Sequence, residues 1–332
     1  MQIWFPTIRA GSGVDVYVRR LADALQKRGV TCRISWFDRR FEFAPYLLCK
    51  ASPPPGTDII HANSWSAFAF RKKGLPLVVT EHHCVGDPGF RPYKNLLQHI
   101  YHKSLITPFE SLSFKHADRI IAVSHATADS LRRVFGVMNA SVIHNWIDTD
   151  HFVPAPSNDS AGTSFSLLYV GNQSLRKGWD QVLAIMASLG KEFQLYATSG
   201  LRDKKLPATA NNITLLGRLD AEELVSRYQS CDALLFPSRY EGFGYVALEA
   251  MACGKPVIAA NNSALPEVVL DGVTGLLCNP EDTACYVRAC RTLEHNYDLR
   301  ISLGRNARQH ATRSFSEDAL VRKYISVYNQ LI

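Results

Sequence analysis

Two glutamates eight positions apart, Glu241 and Glu249, stand in the run Pro237-Ser-Arg-Tyr-Glu-Gly-Phe-Gly-Tyr-Val-Ala-Leu-Glu-Ala-Met-Ala-Cys-Gly254. Gly242 and Gly244 permit close backbone approach and dihedrals closed to other residues. A helix starting near Tyr245 would aim free N–H groups at a phosphate or a sugar oxygen. Glu249 would then lie about one turn into that helix. One carboxylate from the loop and one from the helix can face a single ligand. On residue types alone, a loop glutamate and a helix-pairing glutamate explain the pair as well.

A second cluster reads Tyr169-Val-Gly171-Asn172-Gln-Ser-Leu-Arg176-Lys177-Gly178. Two adjacent cations beside a glycine suit a diphosphate whose charge grows as it departs; a solvated basic turn uses the same residues. Arg9-Ala-Gly11-Ser12-Gly13-Val14 opens a helix with a bare G-x-G, which serves a tight turn as readily as a phosphate loop. Thr80-Glu81-His82-His83 ends a strand in imidazoles. His61 ends another and is read as lining the same crevice.

These residues need strands to carry them. Short apolar runs at 2–5, 32–37, 58–61, 77–80, 119–123 and 141–144 have the continuous character of parallel strands buried on both faces. A second set follows at 166–170, 194–198, 213–216, 233–236, 256–259 and 275–278. Helical periodicity fills the gaps, with Val14, Val18, Leu21 and Leu25 on one stripe and Gly29 as a stop. Alternating strand and helix implies right-handed crossovers and doubly wound sheets. The polar run 154–164, with two prolines and a glycine, reads as a linker. The expected domains are therefore 1–153 and 154–332, both Rossmann-like. The final helix, about 317–331, is a candidate to lie back on the first domain.

The chain has 332 residues, 46% of them apolar and 20% charged, which is globular composition and excludes a coiled coil or a disordered tail. No run reaches the roughly 18 apolar residues of a membrane helix. The opening Met-Gln-Ile-Trp-Phe-Pro reads as a strand rather than a signal peptide. Eight cysteines without a C-x-x-C pair suggest reduced thiols and a cytoplasmic location. The charge is lopsided: 19 of 37 basic but only 12 of 30 acidic residues precede Ser157, so the whole net charge of +7 lies there. An anionic acceptor or membrane surface is the expected partner of that half, and nucleic acid is not. The run from Phe90 to Leu105 interleaves basic, aromatic and aliphatic residues. It suits either an interfacial membrane helix or an ordinary amphipathic helix with a basic outer face.

Taken in order, several motifs resemble one family. Glu241-x7-Glu249 with its flanking G-F-G and A-M-A-x-G is similar to the E-x7-E motif of family-4 (group 1) retaining glycosyltransferases of GT-B fold. Pro256-Val-Ile-Ala, Pro266-Glu-Val-Val-x-Asp-Gly-x-Thr-Gly275, Gly217-Arg218-Leu, Asp118-Arg-Ile-Ile-Ala-Val-Ser124 and His144-Asn-Trp-Ile-Asp148 extend the likeness over nearly the whole chain. The resemblance implies two Rossmann-like domains facing across a cleft, the first for the acceptor and the second for a nucleotide sugar such as a UDP- or GDP-sugar.

It also implies roles. Glu241 would bind hydroxyls of the donor sugar and Glu249 those of the ribose. Arg176 and Lys177 would clamp the diphosphate, and His82 would sit near the reacting sugar. Gly13, Asn172, Arg218, Gly242, Phe243 and Gly244 would complete the donor site. Asn172 replaces an arginine of many relatives, and Ser12 replaces a glycine. With no D-x-D motif, the implied enzyme is a metal-independent hexosyltransferase without a cofactor. It would act in cell-envelope polysaccharide or lipopolysaccharide synthesis, peripheral to the inner face of the membrane. Rivals are a GT-B epimerase or phosphorylase, and a non-catalytic sugar-nucleotide-binding subunit. No full G-x-G-x-x-G follows either first strand, which argues against a nicotinamide dehydrogenase.

Overall fold

The computed structural model describes residues 1–9, 11, 13–156, 164–199 and 211–332. Ser12 and most of the polar run, 157–163, lie outside the described residues. The chain divides into two compact units, one of Met1–His144 with Glu317–Ile332, the other of Asn145–Ser316.

The first unit contains β1 (Gln2–Ile8), α1 (Gly13–Gln26), β2 (Thr31–Phe37), β3 (Ile59–Asn63), β4 (Leu77–Glu81), α2 (Leu96–Tyr101), α3 (Thr107–His116), β5 (Arg119–Ala122), α4 (His125–Phe135) and β6 (Ser141–Val142). All its strands pair in parallel in the order β2-β1-β3-β4-β5-β6. Every residue of β4 is buried, which is why it reads as an unbroken run rather than an alternation. Trp4, Ile60, Phe70, Val79 and Leu131 fill one core, closed by helix faces.

The second unit contains β7 (Phe165–Tyr169), α5 (Trp179–Leu189), β8 (Phe193–Thr198), β9 (Ile213–Gly217), α6 (Ala221–Ser230), β10 (Ala233–Phe236), α7 (Tyr245–Ala252), β11 (Val257–Ala260), α8 (Leu265–Val268), β12 (Gly275–Cys278), α9 (Thr283–His295) and α10 (Tyr297–Ser314). Its sheet is also parallel, in the order β12-β11-β10-β7-β8-β9. Leu167, Val182, Ile185, Leu195, Leu235, Tyr286 and Leu293 lie in its core. Asp220 caps α6 in a full capping box with Glu223, so that helix start is locally encoded.

The last helix, α11 (Glu317–Asn329), belongs to the first unit. Its buried face carries Leu320, Val321, Tyr324 and Tyr328. The Tyr324 and Tyr17 hydroxyls lie 2.8 Å apart, and Arg28 pairs with Glu317 at 3.0 Å and Asp318 at 3.2 Å. The chain enters the second unit at Asn145, ahead of the boundary at 153/154 suggested by composition. Arg308 explains the difference: its guanidinium donates to the carbonyls of Thr149 at 3.0 Å and Phe152 at 2.7 Å, fixing that stretch to α10.

His61 does not line a crevice. It is 2% exposed, with Nδ1 2.6 Å from the Tyr328 hydroxyl and Nε2 2.7 Å from Thr80 Oγ1. Burial, then neighbouring His82, pulls its pKa down to about 3, so it is a neutral tether between β3, β4 and α11.

In doubly wound sheets ligands bind outside the carboxyl ends of the strands, where the strand order reverses. In the first sheet that point lies between β1 and β3. In the second it lies between β7 and β10, the two strands followed by the chemically distinctive loops.

Candidate functional site

The loop after β7 and the loop after β10 converge at the switch point of the second sheet. Arg176 and Lys177 come from the first and Glu241 from the second. Lys177 Nζ donates to Glu241 Oε1 at 2.5 Å, and Ser238 Oγ donates to the same oxygen at 2.5 Å. The Arg176 guanidinium donates to the Tyr240 carbonyl at 3.0 Å, and the Arg239 N–H donates to the Arg176 carbonyl at 2.8 Å. The two cations and the first glutamate of the motif are thus one cluster.

Backbone geometry makes this convergence possible. Gly178 is left-handed at φ +72°, and a Cβ there would lie 2.1 Å from the Pro237 carbonyl oxygen. Only glycine lets the β7 loop press against the β10 loop so closely. Gly244, at φ +110°, is the N-cap of α7, and Gly178 is the N-cap of α5. The N-terminal ends of both helices therefore adjoin the cluster and bring their positive dipole ends to it.

The electrostatics are finely opposed. Burial alone would raise the Glu241 pKa, but Lys177 and then Arg176 hold its carboxyl below the usual range. Burial pulls Lys177 below the usual lysine value against the pull of Glu241, and Arg176 pulls the same way as burial. Such a buried pair is a weak stabiliser, because desolvation offsets much of the attraction. It lies where the β7 and β10 loops meet, beside two helix N-termini.

Arg239 braces the cluster from below. It is 4% exposed, donates to Asp180 at 2.6 and 2.8 Å, and donates to Glu281 at 2.6 and 2.9 Å. The Asp180 hydrogen bonds, then those of Glu281, raise its pKa. Ser263 contributes from the far side. It is a non-glycine residue at φ +51°, and its Oγ accepts from the Glu241 N–H at 2.9 Å. Holding a serine there costs about 1–2 kcal/mol, and the bond to the Glu241 N–H is one of the contacts that hold Ser263 in that conformation.

Glu249 lies in α7, and its charge acts on Lys177 in the same sense as that of Glu241. Its Oε2 accepts from the Tyr228 hydroxyl at 2.8 Å. Burial and then Glu249 push the Tyr228 pKa well up, keeping that hydroxyl protonated as a donor. Phe243 is buried, its ring against Tyr245 at 5.4 Å and Phe315 at 5.7 Å, so its side chain shapes the loop rather than presenting a binding surface. Gly242 is half-buried between Glu241 and Phe243. The Asn172 carbonyl accepts from the Tyr169 hydroxyl at 2.7 Å, which turns the β7 loop. Arg218 follows β9 and is exposed.

Gly13 and His82 belong to the first unit. Gly13 opens α1. His82 directly follows β4, beside a cavity of about 150 Å³ lined by Arg9, Asn63, Ser64, Trp65, Glu81, His82 and others. The His82 ring meets Tyr17 edge-on at 4.4 Å. Burial lowers its pKa to about 4, so it is a neutral imidazole, and its Nε2 has no hydrogen-bond partner.

Ser238, Arg239, Ser263 and Tyr228 were not singled out by motif. Ser238 and Arg239 lie inside the motif run and were readable by position. Ser263 and Tyr228 act from distant strands and helices and leave no local signal.

Comparison with known proteins finds relatives of both units. Residues 155–310 match the family described as Glycosyl transferases group 1, and residues 35–151 match Glycosyltransferase Family 4. Glycogen synthase of Mycobacterium tuberculosis is 29% identical over 288 residues, covering 82% of this chain and 68% of that protein. Among solved structures, sucrose-phosphate synthase from Thermosynechococcus elongatus superposes with a TM-score of 0.83 at 22% identity, covering 100% of this chain and 99% of the other. Anabaena HepE in complex with UDP-glucose gives 0.78 at 18% identity, covering 99% of this chain and 100% of its own. The chain belongs to the group 1, family-4 glycosyltransferases and has their GT-B fold of two Rossmann-like units.

Proposed function

We propose that this enzyme transfers a hexose, with retention of anomeric configuration, from a nucleotide sugar bound by the second unit to a glycan or lipid-linked acceptor bound by the first. The observation that carries the reading is the Lys177–Glu241 pair at the switch point, beside two helix N-termini. A carboxylate takes two hydroxyls of a sugar, and the cations beside it take a diphosphate. The UDP-glucose held by HepE supports a uridine or similar nucleotide as the donor base.

In this reading Arg176 and Lys177 stabilise the departing phosphate, whose charge grows in the transition state. The phosphate itself receives the acceptor proton, so no enzyme nucleophile is required. A glycosidase-type acid/base pair is a poor fit, since Glu241 is held ionised by two cations. No metal or cofactor enters the proposal. Donor hydrolysis with and without inorganic phosphate separates transfer from phosphorolysis, and the anomeric coupling constant of the product in proton NMR tests retention. An inverted product would refute that part.

The ribose of the donor is assigned to Glu249. Hydrogen bonds to a charged group contribute about 1.5–3 kcal/mol. Glu249→Gln is therefore expected to weaken nucleotide affinity by about 10- to 100-fold. Unchanged nucleotide affinity by calorimetry would remove the role.

A peripheral membrane location, with an acceptor of the cell envelope, is supported by charge and exposure. The first unit has 21 basic and 12 acidic residues, the second 16 and 18. No helix among the described residues is long and apolar enough to cross a membrane. Yet Leu96, Leu97 and Ile100 on α2 are 72%, 80% and 52% exposed, and Phe43, Tyr46 and Leu47 are similarly bare. The two segments adjoin, with the Phe43 and Tyr101 rings 5.7 Å apart. Binding to acidic liposomes is expected to fall as salt rises through about 0.15 M, where charges screen over about 8 Å. Equal partitioning onto neutral and acidic liposomes would contradict the proposal.

A further inference from the structure

Tyr228 of α6 and Glu249 of α7 meet inside the second unit. Tyr228 is 0% exposed, so it cannot itself touch a bound nucleotide. Its hydroxyl donates to Glu249 Oε2 at 2.8 Å. Burial and then the Glu249 charge push its pKa well up, so the hydroxyl stays a donor at neutral pH. The tyrosine is held in turn. The Phe152 ring stands edge-on to it at 6.2 Å. Arg308 donates to the Phe152 carbonyl at 2.7 Å and to the carbonyl of Ala252, the last residue of α7, at 2.8 Å. One network therefore ties Tyr228 to the helix that carries Glu249.

The surroundings show why this glutamate needs a partner. In α7, Ala247, Leu248, Ala250, Met251 and Ala252 are buried, whereas Tyr245, Val246 and Glu249 are half-buried. Those three share one face of the helix, at i, i+1 and i+4. Glu249 thus combines a long, rotatable side chain with a partly open face. A competing cation is near: the Glu249 charge acts on Lys177, more weakly than that of Glu241. Left to its own rotamers, Glu249 would lean toward that ammonium, which already donates to Glu241.

A carboxylate has about four lone-pair sites, and Tyr228 fills one. That single fixed donor sets the plane of the whole group. A 2′,3′-diol needs two acceptor sites in fixed geometry, and ordering them in advance raises affinity by removing the cost of ordering them on binding.

We propose that Tyr228 is a positioning residue for the donor: it holds the Glu249 carboxylate in the orientation that accepts the ribose 2′ and 3′ hydroxyls, and so sets the preference for nucleotides with an intact ribose. The proposal rests on the assignment of the ribose to Glu249. It also separates the two glutamates of the motif, since a Glu249 held by Tyr228 leaves Lys177 to Glu241 and to the phosphates.

The test is calorimetric titration of the full chain with UDP, GDP and ADP, each beside its 2′,3′-dideoxy counterpart. The wild-type chain should bind at least one ribonucleotide about tenfold or more tightly than its dideoxy form. Tyr228→Phe keeps the ring against Phe152 and removes only the hydroxyl. It should weaken that ribonucleotide by about 3- to 10-fold, the worth of one net hydrogen bond, and leave the dideoxy form nearly unchanged. Glu249→Gln should abolish the preference, and adding Tyr228→Phe to it should cost nothing further, because both act through one carboxylate. If Tyr228→Phe weakens both forms equally, or keeps the wild-type preference, while Glu249→Gln abolishes it, the proposal is overturned and the ribose assignment stands. A preference that survives in Glu249→Gln sinks the ribose assignment and the role of Tyr228 with it, as does a wild-type chain that binds both forms equally or binds none of these nucleotides.

Discussion

Lys177→Ala is expected to lower kcat by about 10²–10³-fold while raising the donor KM far less, as removal of one preorganised charge contact does in other active sites. The asymmetry follows from when the contact matters. A cation beside a diphosphate interacts most strongly once the bond to the sugar is breaking, so its loss appears mainly in kcat. The substitution also leaves Glu241 buried without its ammonium partner, so stability must be followed separately. Lys177→Ala combined with Glu241→Gln removes that stranded charge. Turnover in the double variant should remain as low as in Lys177→Ala, whereas its melting temperature should recover. Arg176→Lys should restore only part of the activity lost in Arg176→Ala, because a point charge lacks the guanidinium fork that grips two phosphate oxygens. Near-normal turnover of an Arg176→Ala, Lys177→Ala enzyme would move the phosphate site elsewhere and return this loop to a solvated turn.

Gly178→Ala is expected to destabilise the second unit by about 2–5 kcal/mol, the sum of a left-handed alanine and an overpacked contact. The added Cβ would meet the backbone oxygen of Pro237 at 2.1 Å, and a carbonyl in a loop fixed by Arg239 and Ser263 has nowhere to yield. At about 2–4 °C per kcal/mol for a unit of this size, the melting temperature should drop by about 4–20 °C. Donor affinity should drop with it, since the same movement separates Lys177 from Glu241. Gly217→Ala is the control: that glycine is also left-handed, at φ +75°, but its Cβ position is open. A Gly178→Ala protein as stable as Gly217→Ala would show that the two loops are not pressed together as described.

Strands such as β4, β10 and β11 were legible because they are buried on both faces and so read as continuous apolar runs, and each run marked in the sequence coincides with a strand among the described residues to within a few positions. The loops after β7 and β10 were legible because glycines and charges interrupt those runs at fixed points. Other features depend on contacts between distant residues. The helix read across 90–105 is broken in the structure. Pro92 sits in a short 3-10 turn, Asn95 caps a new helix through a bond to the Gln98 N–H, and a π-helical turn covers His102–Ile106. His61 looked like a crevice residue because it ends a strand, but Tyr328 arrives from the far end of the chain to bury it. Arg239 was hidden within a motif whose glutamates drew the eye, and its role depends on Asp180 and Glu281 on two other elements.

The central claim is that the Arg176, Lys177 and Glu241 cluster binds a nucleotide sugar, and thermal denaturation with a panel of nucleotide sugars tests it most directly. At 100 times Kd a ligand specific for the folded state contributes about 2.7 kcal/mol of stability. At least one UDP-, GDP- or ADP-hexose should therefore raise the melting temperature of the wild-type chain by several degrees, and the shift should be much smaller for Glu249→Gln and for Glu241→Gln, the two carboxylates assigned to donor hydroxyls. Absence of any shift across the panel, or equal shifts in wild type and both variants, would contradict the account.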